Sequence, residues 1–260
     1  MIRTITRFAA RRTTESKVPE ISLAFWVAKI LSTAMGEATS DFLVFHTNPY
    51  AAVAAGAVGF LAALGLQMTL RRYRPLAYWV LVVMVSVFGT MIADVIHVVL
   101  GVPYGVSSAG FLLALGAILL AWYRSEGTLS IHSIRSARRE GFYWATVMAT
   151  FALGTAAGDL TASTFGLGYW PSALLFTALF AVPGLLYAAG KLNPIAGFWT
   201  AYILTRPMGA SFADWVDKPV AQSGLGYGTP LTSAVLSAAV ALAVGYIMLR
   251  YRRGSLQALA

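Results

Sequence analysis

A motif written four times constrains this chain more than any other feature. An aromatic residue followed by Trp occurs at Phe25-Trp26, Tyr78-Trp79, Tyr143-Trp144 and Phe198-Trp199. Ten residues after each Trp stands Gly36, Gly89, Gly154 or Gly209, and five residues further on stands Asp41, Asp94, Asp159 or Asp214. The residue ahead of each Asp is small: Ser40, Ala93, Gly158 and Ala213. A spacing kept in four places marks an internal repeat, and the fold must be four versions of one unit.

Each copy lies in apolar sequence. Of the 260 residues 58% are apolar and 11% charged, and none is Cys; a soluble domain carries roughly 25% charged residues. About 20 apolar residues at 1.5 Å each cross a ~30 Å hydrocarbon core. Such stretches fall at 21–43, 51–70, 77–100, 106–123, 142–164, 171–190, 195–216 and 230–250. The expected fold is an all-α membrane protein with eight transmembrane helices. Each repeat then reads as a helical hairpin: a motif helix, a loop carrying Tyr50, Tyr104, Tyr169 or Tyr227, and a plainer return helix. Two crossings restore the starting side, so the four hairpins are parallel-oriented about an axis along the membrane normal. The expected divisions are a basic tail (1–20), a membrane half with repeats one and two (21–123), a linker (124–141), a second half (142–253) and a C-terminal tail (254–260). The Trp residues read as an aromatic belt at the membrane interface, and Tyr104, Tyr169 and Tyr227 as interfacial anchors, with a lid as the alternative.

The net charge of +9 is unevenly placed. Arg3, Arg7, Arg11, Arg12 and Lys17 precede the first span, Arg71, Arg72 and Arg74 follow the second, and Arg124, Arg135, Arg138 and Arg139 follow the fourth. Lys191 follows the sixth, and Arg250, Arg252 and Arg253 end the eighth, whereas the opposite loops hold only Lys218. By the positive-inside rule both termini are cytoplasmic, and the chain reads as a multi-pass protein of the bacterial inner membrane without a cleaved signal. Anionic headgroups account for the charge, so no nucleic acid is required. Without Cys there is no disulfide framework or thiolate metal site. Metalloprotease, nucleotide-binding and serine-hydrolase signatures are absent, and four equivalent Asp residues do not suit an aspartyl dyad. An enzyme is not expected, nor is a cofactor.

The G-x-x-x-small-D motif after an aromatic-Trp pair, present four times from Pro19 to Arg253, resembles a bacterial integral membrane family made of four copies of a repeat of unknown function. The resemblance implies an eight-helix membrane protein and brings no activity.

The acids carry the functional argument. Each Gly and the small residue four positions on share one helix face, so Gly36, Gly89, Gly154 and Gly209 read as a helix-packing motif. Each Asp points away from that face. An Asp at mid-membrane costs about 2.5–3.5 kcal/mol, and Glu37 joins the four. Stepping by four along the motif helices gives Lys29, Thr33, Glu37, Asp41; Val82, Ser86, Thr90, Asp94; Val147, Phe151, Thr155, Asp159; and Tyr202, Arg206, Ala210, Asp214. These ridges are expected to face one centre, with Lys29 and Arg206 as charge-compensating residues that hold neighbouring carboxylates ionised. Five carboxylates still outnumber two fixed cations.

The expected function is therefore a secondary transporter of a small cation, with a divalent metal such as Mn²⁺ exchanged for protons as the specific form. Glu37, Asp41, Asp94, Asp159 and Asp214 would be the metal ligands, helped by Ser40, Thr90 and Thr155 as hard oxygen donors and by His97 through nitrogen. His46 is a weaker candidate, and His132 falls in the linker. Pro207 should kink or open its helix beside Arg206. Two alternatives stand: a proton-coupled exporter of small organic cations held by aromatic rings, and a non-transporting protein whose polar core is structural.

Overall fold

The computed structural model describes residues 16–257, so Arg3, Arg7, Arg11 and Arg12 of the basic tail lie outside the described residues. Among the described residues there is no strand. There are eight α-helices: α1 (Leu23–His46), α2 (Pro49–Thr69), α3 (Pro75–Asp94), α4 (Tyr104–Glu126), α5 (Ala137–Asp159), α6 (Tyr169–Ala188), α7 (Pro194–Asp217) and α8 (Thr229–Gln257). Local chemistry sets the ends. Side-chain oxygens of Ser22, Asn48, Ser136 and Asn193 accept from backbone N–H groups in the first turns of α1, α2, α5 and α7, satisfying donors the helix cannot. Gly127, left-handed at φ 70°, stops α4, a conformation that glycine adopts without strain.

Five helical segments, Pro49–Thr69, Pro75–His97, Tyr104–Glu126, Tyr169–Ala188 and Thr229–Arg253, are long and apolar enough to cross a membrane. This is a multi-pass membrane protein. Helices α1, α5 and α7 are less apolar, and the architecture places them inside. Helices α1, α3, α5 and α7 form an inner ring in which each touches the next and α7 touches α1. The other four lie outside and expose Val58, Leu61, Leu112, Leu113, Leu185 and Leu242.

The ring has one repeated contact. A Cβ on Gly36 would strike Ser86, one on Gly89 would come 2.7 Å from the Cβ of Phe151, one on Gly154 would strike Arg206, and one on Gly209 would strike Thr33. Each glycine thus meets the residue three positions before the next repeat's glycine, and the last meets the first. The same register on all four seams makes the motif helices parallel and gives the ring fourfold pseudosymmetry.

Each return helix packs chiefly on a neighbouring repeat's motif helix: α2 on α3, α4 on α5, α6 on α7, and α8 on α1. A short loop makes consecutive helices antiparallel, and the return helix lies in the groove between successive motif helices. One sequence expectation is corrected here: the aromatic pairs do not form a belt. Phe25, Tyr78, Trp79, Tyr143, Trp144, Phe198 and Trp199 are buried and Trp26 is partly so, with ring centroids 5.9 Å apart for Phe25 and Trp79, 6.3 Å for Phe25 and Phe198, and 6.1 Å for Tyr143 and Trp199. The hydroxyls of Tyr78 and Tyr143 are hydrogen-bonded at 2.5 Å. The first aromatic of each pair lies four residues before Lys29, Val82, Val147 or Tyr202 and so begins the inward ridge. The rings close one end of the bundle, called here the aromatic end; the motif acids mark the acidic end.

A strap crosses the aromatic end. The backbone N–H of Lys17 donates to Ile134 and that of Tyr73 to Ser16, both at 3.0 Å. Lys17 pairs with buried Glu140, whose other oxygen accepts from Gln67 at 2.9 Å. The linker between repeats two and three is packed, with Ile131 and Ile134 buried and the Trp199 indole N–H donating to Leu129 at 2.9 Å. Helix α7 runs unbroken through Pro207, which corrects the expected opening there. The proline ring sits against the Gly154 backbone, and that packing holds the turn.

Candidate functional site

The four ridges face one another around the pseudosymmetry axis, and moving along it from the aromatic end each helical turn adds a layer. The first layer is Lys29, Val82, Val147 and Tyr202; the second Thr33, Ser86, Phe151 and Arg206; the third Glu37, Thr90, Thr155 and Ala210; the fourth Asp41, Asp94, Asp159 and Asp214.

Arg206 ties the third layer together. Its Nη2 donates to Glu37 Oε2 at 2.5 Å and to Thr155 Oγ1 at 2.7 Å, and also to the hydroxyl of Thr90. Nη1 donates to the Thr33 carbonyl at 3.2 Å. One guanidinium from repeat four therefore binds the equivalent position in each of the other three. Arg206 is fully buried and Glu37 nearly so. A planar, delocalised cation with several forked donors suits this position better than an ammonium.

Lys29 lies one layer nearer the aromatic end. Its Nζ is buried and has no hydrogen-bond partner among the described residues. It sits 4.1 Å from the ring centroid of Phe151 and 4.4 Å from that of Tyr202. Among the described residues it forms no ion pair, while Arg206, one layer on, takes Glu37.

A third cation reaches the acids from beyond the end of α7. Lys218 forms an ion pair with Asp41 and approaches Asp214 Oδ1 at 3.6 Å. Burial works against its charge, but Asp214 and Asp41 outweigh this and hold its pKa above the ordinary lysine value. Counting only Lys29 and Arg206 as fixed cations is thereby corrected. Asp217, also buried and without a hydrogen bond to its carboxylate among the described residues, adds a sixth acid. Lys218 was legible, since it stands four residues after Asp214 and alone among basic residues in the loops at that end.

The four motif acids divide into two pairs. Asp41 and Asp214 share Lys218 and are buried. Asp94 and Asp159 are partly exposed and have no ion pair among the described residues; each lies within electrostatic reach of Glu37, Asp41 and the more distant Lys218, and Asp94 of Asp159. They also close their helices differently, since a π-helical turn follows each, at Val95–Val99 and Leu160–Thr164. Such turns widen the helix and recur at functional sites. Repeats one and four have none. Tyr104 lies within electrostatic reach of Asp94, Asp159 and Asp214, and Tyr169 of Asp214 and Asp159. Tyr50 and Tyr227 are exposed. The loop tyrosines therefore do not act alike, and two of them attend the acids.

The remaining candidates fall elsewhere. The His97 Nδ1 lies 3.1 Å from the Val102 carbonyl, and its ring is 4.0 Å from that of Tyr104, centroid to centroid. Its other nitrogen, Nε2, lies 3.3 Å from the Ser107 hydroxyl, so His97 is held in its local turn apart from the acids. His46 contacts Phe42 on its own helix at the exposed surface, and His132 is exposed in the linker. Thr90 and Thr155 bind Arg206 and lie 3.5 Å from Glu37 Oε2, while Ser40 is buried with no hydrogen-bond partner among the described residues. Among the described residues no three His, Asp or Glu side chains are grouped so as to hold a metal ion. The carboxylates face a common axis without closing into a ligand set.

The family described as Repeat of Unknown Function (DUF347) matches the chain four times, over residues 24–73, 77–128, 142–191 and 197–253. No curated protein and no solved structure matches it significantly.

Proposed function

We propose, from the premise that the chain belongs to this fourfold-repeat family, that it is a secondary transporter of a small cation, with eight membrane-spanning helices in the bacterial inner membrane and both termini in the cytoplasm. The charged helices α1, α5 and α7 cross inside the sheath of the apolar ones, and the distribution of basic loops sets the orientation. The acidic end then faces outward, and the aromatic end forms the inner seal.

One observation carries the reading: Asp94 and Asp159 stand on the axis with no fixed cation paired to either among the described residues, while Lys218 and Arg206 occupy Asp41, Asp214 and Glu37. Two carboxylates without built-in partners are the working pair for a mobile cation or proton. Arg206 on Glu37 is the internal gate below them, because a cation arriving at Glu37 competes with the guanidinium. A divalent metal such as Mn²⁺ exchanged for protons is the most specific form, favoured by the all-oxygen donors. Loading it requires the carboxylates to draw together from their present spacing.

A second reading has an observation of its own. The Lys29 ammonium lies against Phe151 and Tyr202, the kind of aromatic surround that takes organic cations. In that case the cargo is a small organic cation and Lys29 is its tethered stand-in.

The test is the full-length protein in liposomes containing a pH-sensitive dye, with Mn²⁺ or tetraethylammonium applied outside. Proton release driven by Mn²⁺ and abolished in Asp94→Asn and Asp159→Asn supports the first reading. Release driven by tetraethylammonium alone supports the second. Neither cation producing release sinks both.

A further inference from the structure

The inner half of the axis holds more positive than negative charge. Lys29 and Arg206 are both buried, and Arg206 is near enough for its charge to bear on Lys29. The two pack on the same aromatic ring: Lys29 Nζ lies 4.1 Å and Arg206 Cζ 5.3 Å from the Phe151 centroid. The nearest carboxylate, Glu37, is bound by Arg206 through Nη2. Lys29 Nζ and Arg206 Nε have no hydrogen-bond partner among the described residues. A desolvated cation–π contact contributes about 2 kcal/mol, while taking an ion out of water costs several kcal/mol, and two like charges repel strongly where the dielectric is low. The ring contacts do not offset those terms.

We infer that Lys29 Nζ and Arg206 Nε form a binding site for one small monovalent anion of the halide class. A single negative charge there balances the two cations and Glu37, and gives both orphaned donors an acceptor. The surroundings select the class. Val82 and Val147 complete the Lys29 layer, and the rings of Phe151 and Tyr202 flank its ammonium, so an oxyanion with several lone pairs would leave most of them unsatisfied. A compact, weakly hydrated ion fits. The site lies two to three layers from Asp94 and Asp159 and does not depend on their moving a cation.

Chloride is the probe. Full-length protein in detergent should bind radiolabelled chloride saturably at about one ion per chain, and should melt higher in chloride than in gluconate. Lys29→Met, which keeps length and removes charge, should weaken that binding by at least about tenfold and abolish the difference between the two salts. Asp94→Asn should leave both intact whatever it does to cation flux. If Lys29→Met does not fold, the wild-type measurements still decide. No saturable chloride binding and equal melting in the two salts overturns the inference and makes Lys29 an uncharged amine. Wild-type binding strength in a folded Lys29→Met places any chloride elsewhere and also overturns it.

Discussion

Gly154 on α5 and Arg206 on α7 compete for one methyl's worth of space. A Cβ at residue 154 would strike the Cβ and Cγ of Arg206 and come 2.9 Å from Pro207 Cδ. The guanidinium that joins Glu37, Thr90 and Thr155 reaches the axis only because residue 154 has no side chain.

Gly154→Ala should therefore destabilise the protein through overpacking, by about 1–3 kcal/mol. Gly116→Ala on α4, where a Cβ meets nothing within 4 Å, should be neutral or stabilising by up to ~1 kcal/mol. Melting of the two variants in detergent, followed as loss of the monodisperse peak, checks the contrast. Equal melting points would remove the packing role given to the repeat glycine.

Lys218→Met should strand Asp41 and Asp214 and cost roughly 3 kcal/mol, the scale for breaking a buried pair. The pH dependence has a fixed sign. Because the folded pKa lies above the ordinary 10.5, the contribution of Lys218 is fully present below that value and is lost only as pH rises through the folded one. Lys218 itself therefore stays charged between about pH 6 and 9, and any change of the melting gap in that range comes from the stranded acids: the gap should be widest at pH 9 and narrow as pH falls and they take up protons. A gap that instead widens as pH falls would show that the lysine is not what holds these carboxylates charged.

Glu140→Gln should free the strap. Lys17 is 5% exposed and held by Glu140, so trypsin should cut after Lys17 slowly in wild type and several-fold faster in the variant. Cation flux should be unchanged, since the strap lies at the end away from the acids. Equal cutting rates would mean that the backbone bonds to Ile134 and Tyr73 alone secure the segment.

Tyr78→Phe removes one hydroxyl of the Tyr78–Tyr143 pair and leaves the other buried without that partner. The single variant should lose about 1–3 kcal/mol, and Tyr78→Phe with Tyr143→Phe should lose less than the two single changes added together. Additive losses in the thermal melts would show that the hydroxyls do not depend on each other.

Much of the inner ring was legible from spacing, because side-chain direction on a helix follows from residue number. Steps of four from Lys29 to Asp41 and from Tyr202 to Asp214 define faces before any neighbour is known. The same stepping, continued one turn back, reaches Phe25, Tyr78, Tyr143 and Phe198. Their burial was therefore readable too, but Trp near a helix end invites an interfacial reading that ignores which way the face points. The partner of each face was not legible. Nothing in repeat one says that Glu37 meets an arginine from repeat four, since pseudosymmetry predicts four equal positions and Arg206 occurs in one of them. The packing of α8 on α1 was hidden for a related reason: contact between the first and last helices depends on ring closure, which no local pattern encodes.

That closure governs how the protein can be made. Glu37 is synthesised 169 residues ahead of Arg206, and Asp41 is 177 residues ahead of Lys218. Throughout that interval α1 carries its acids without their eventual partners and without α8 against its flank. The first helix is thus the last to gain its ion-pair partners, Arg206 and Lys218.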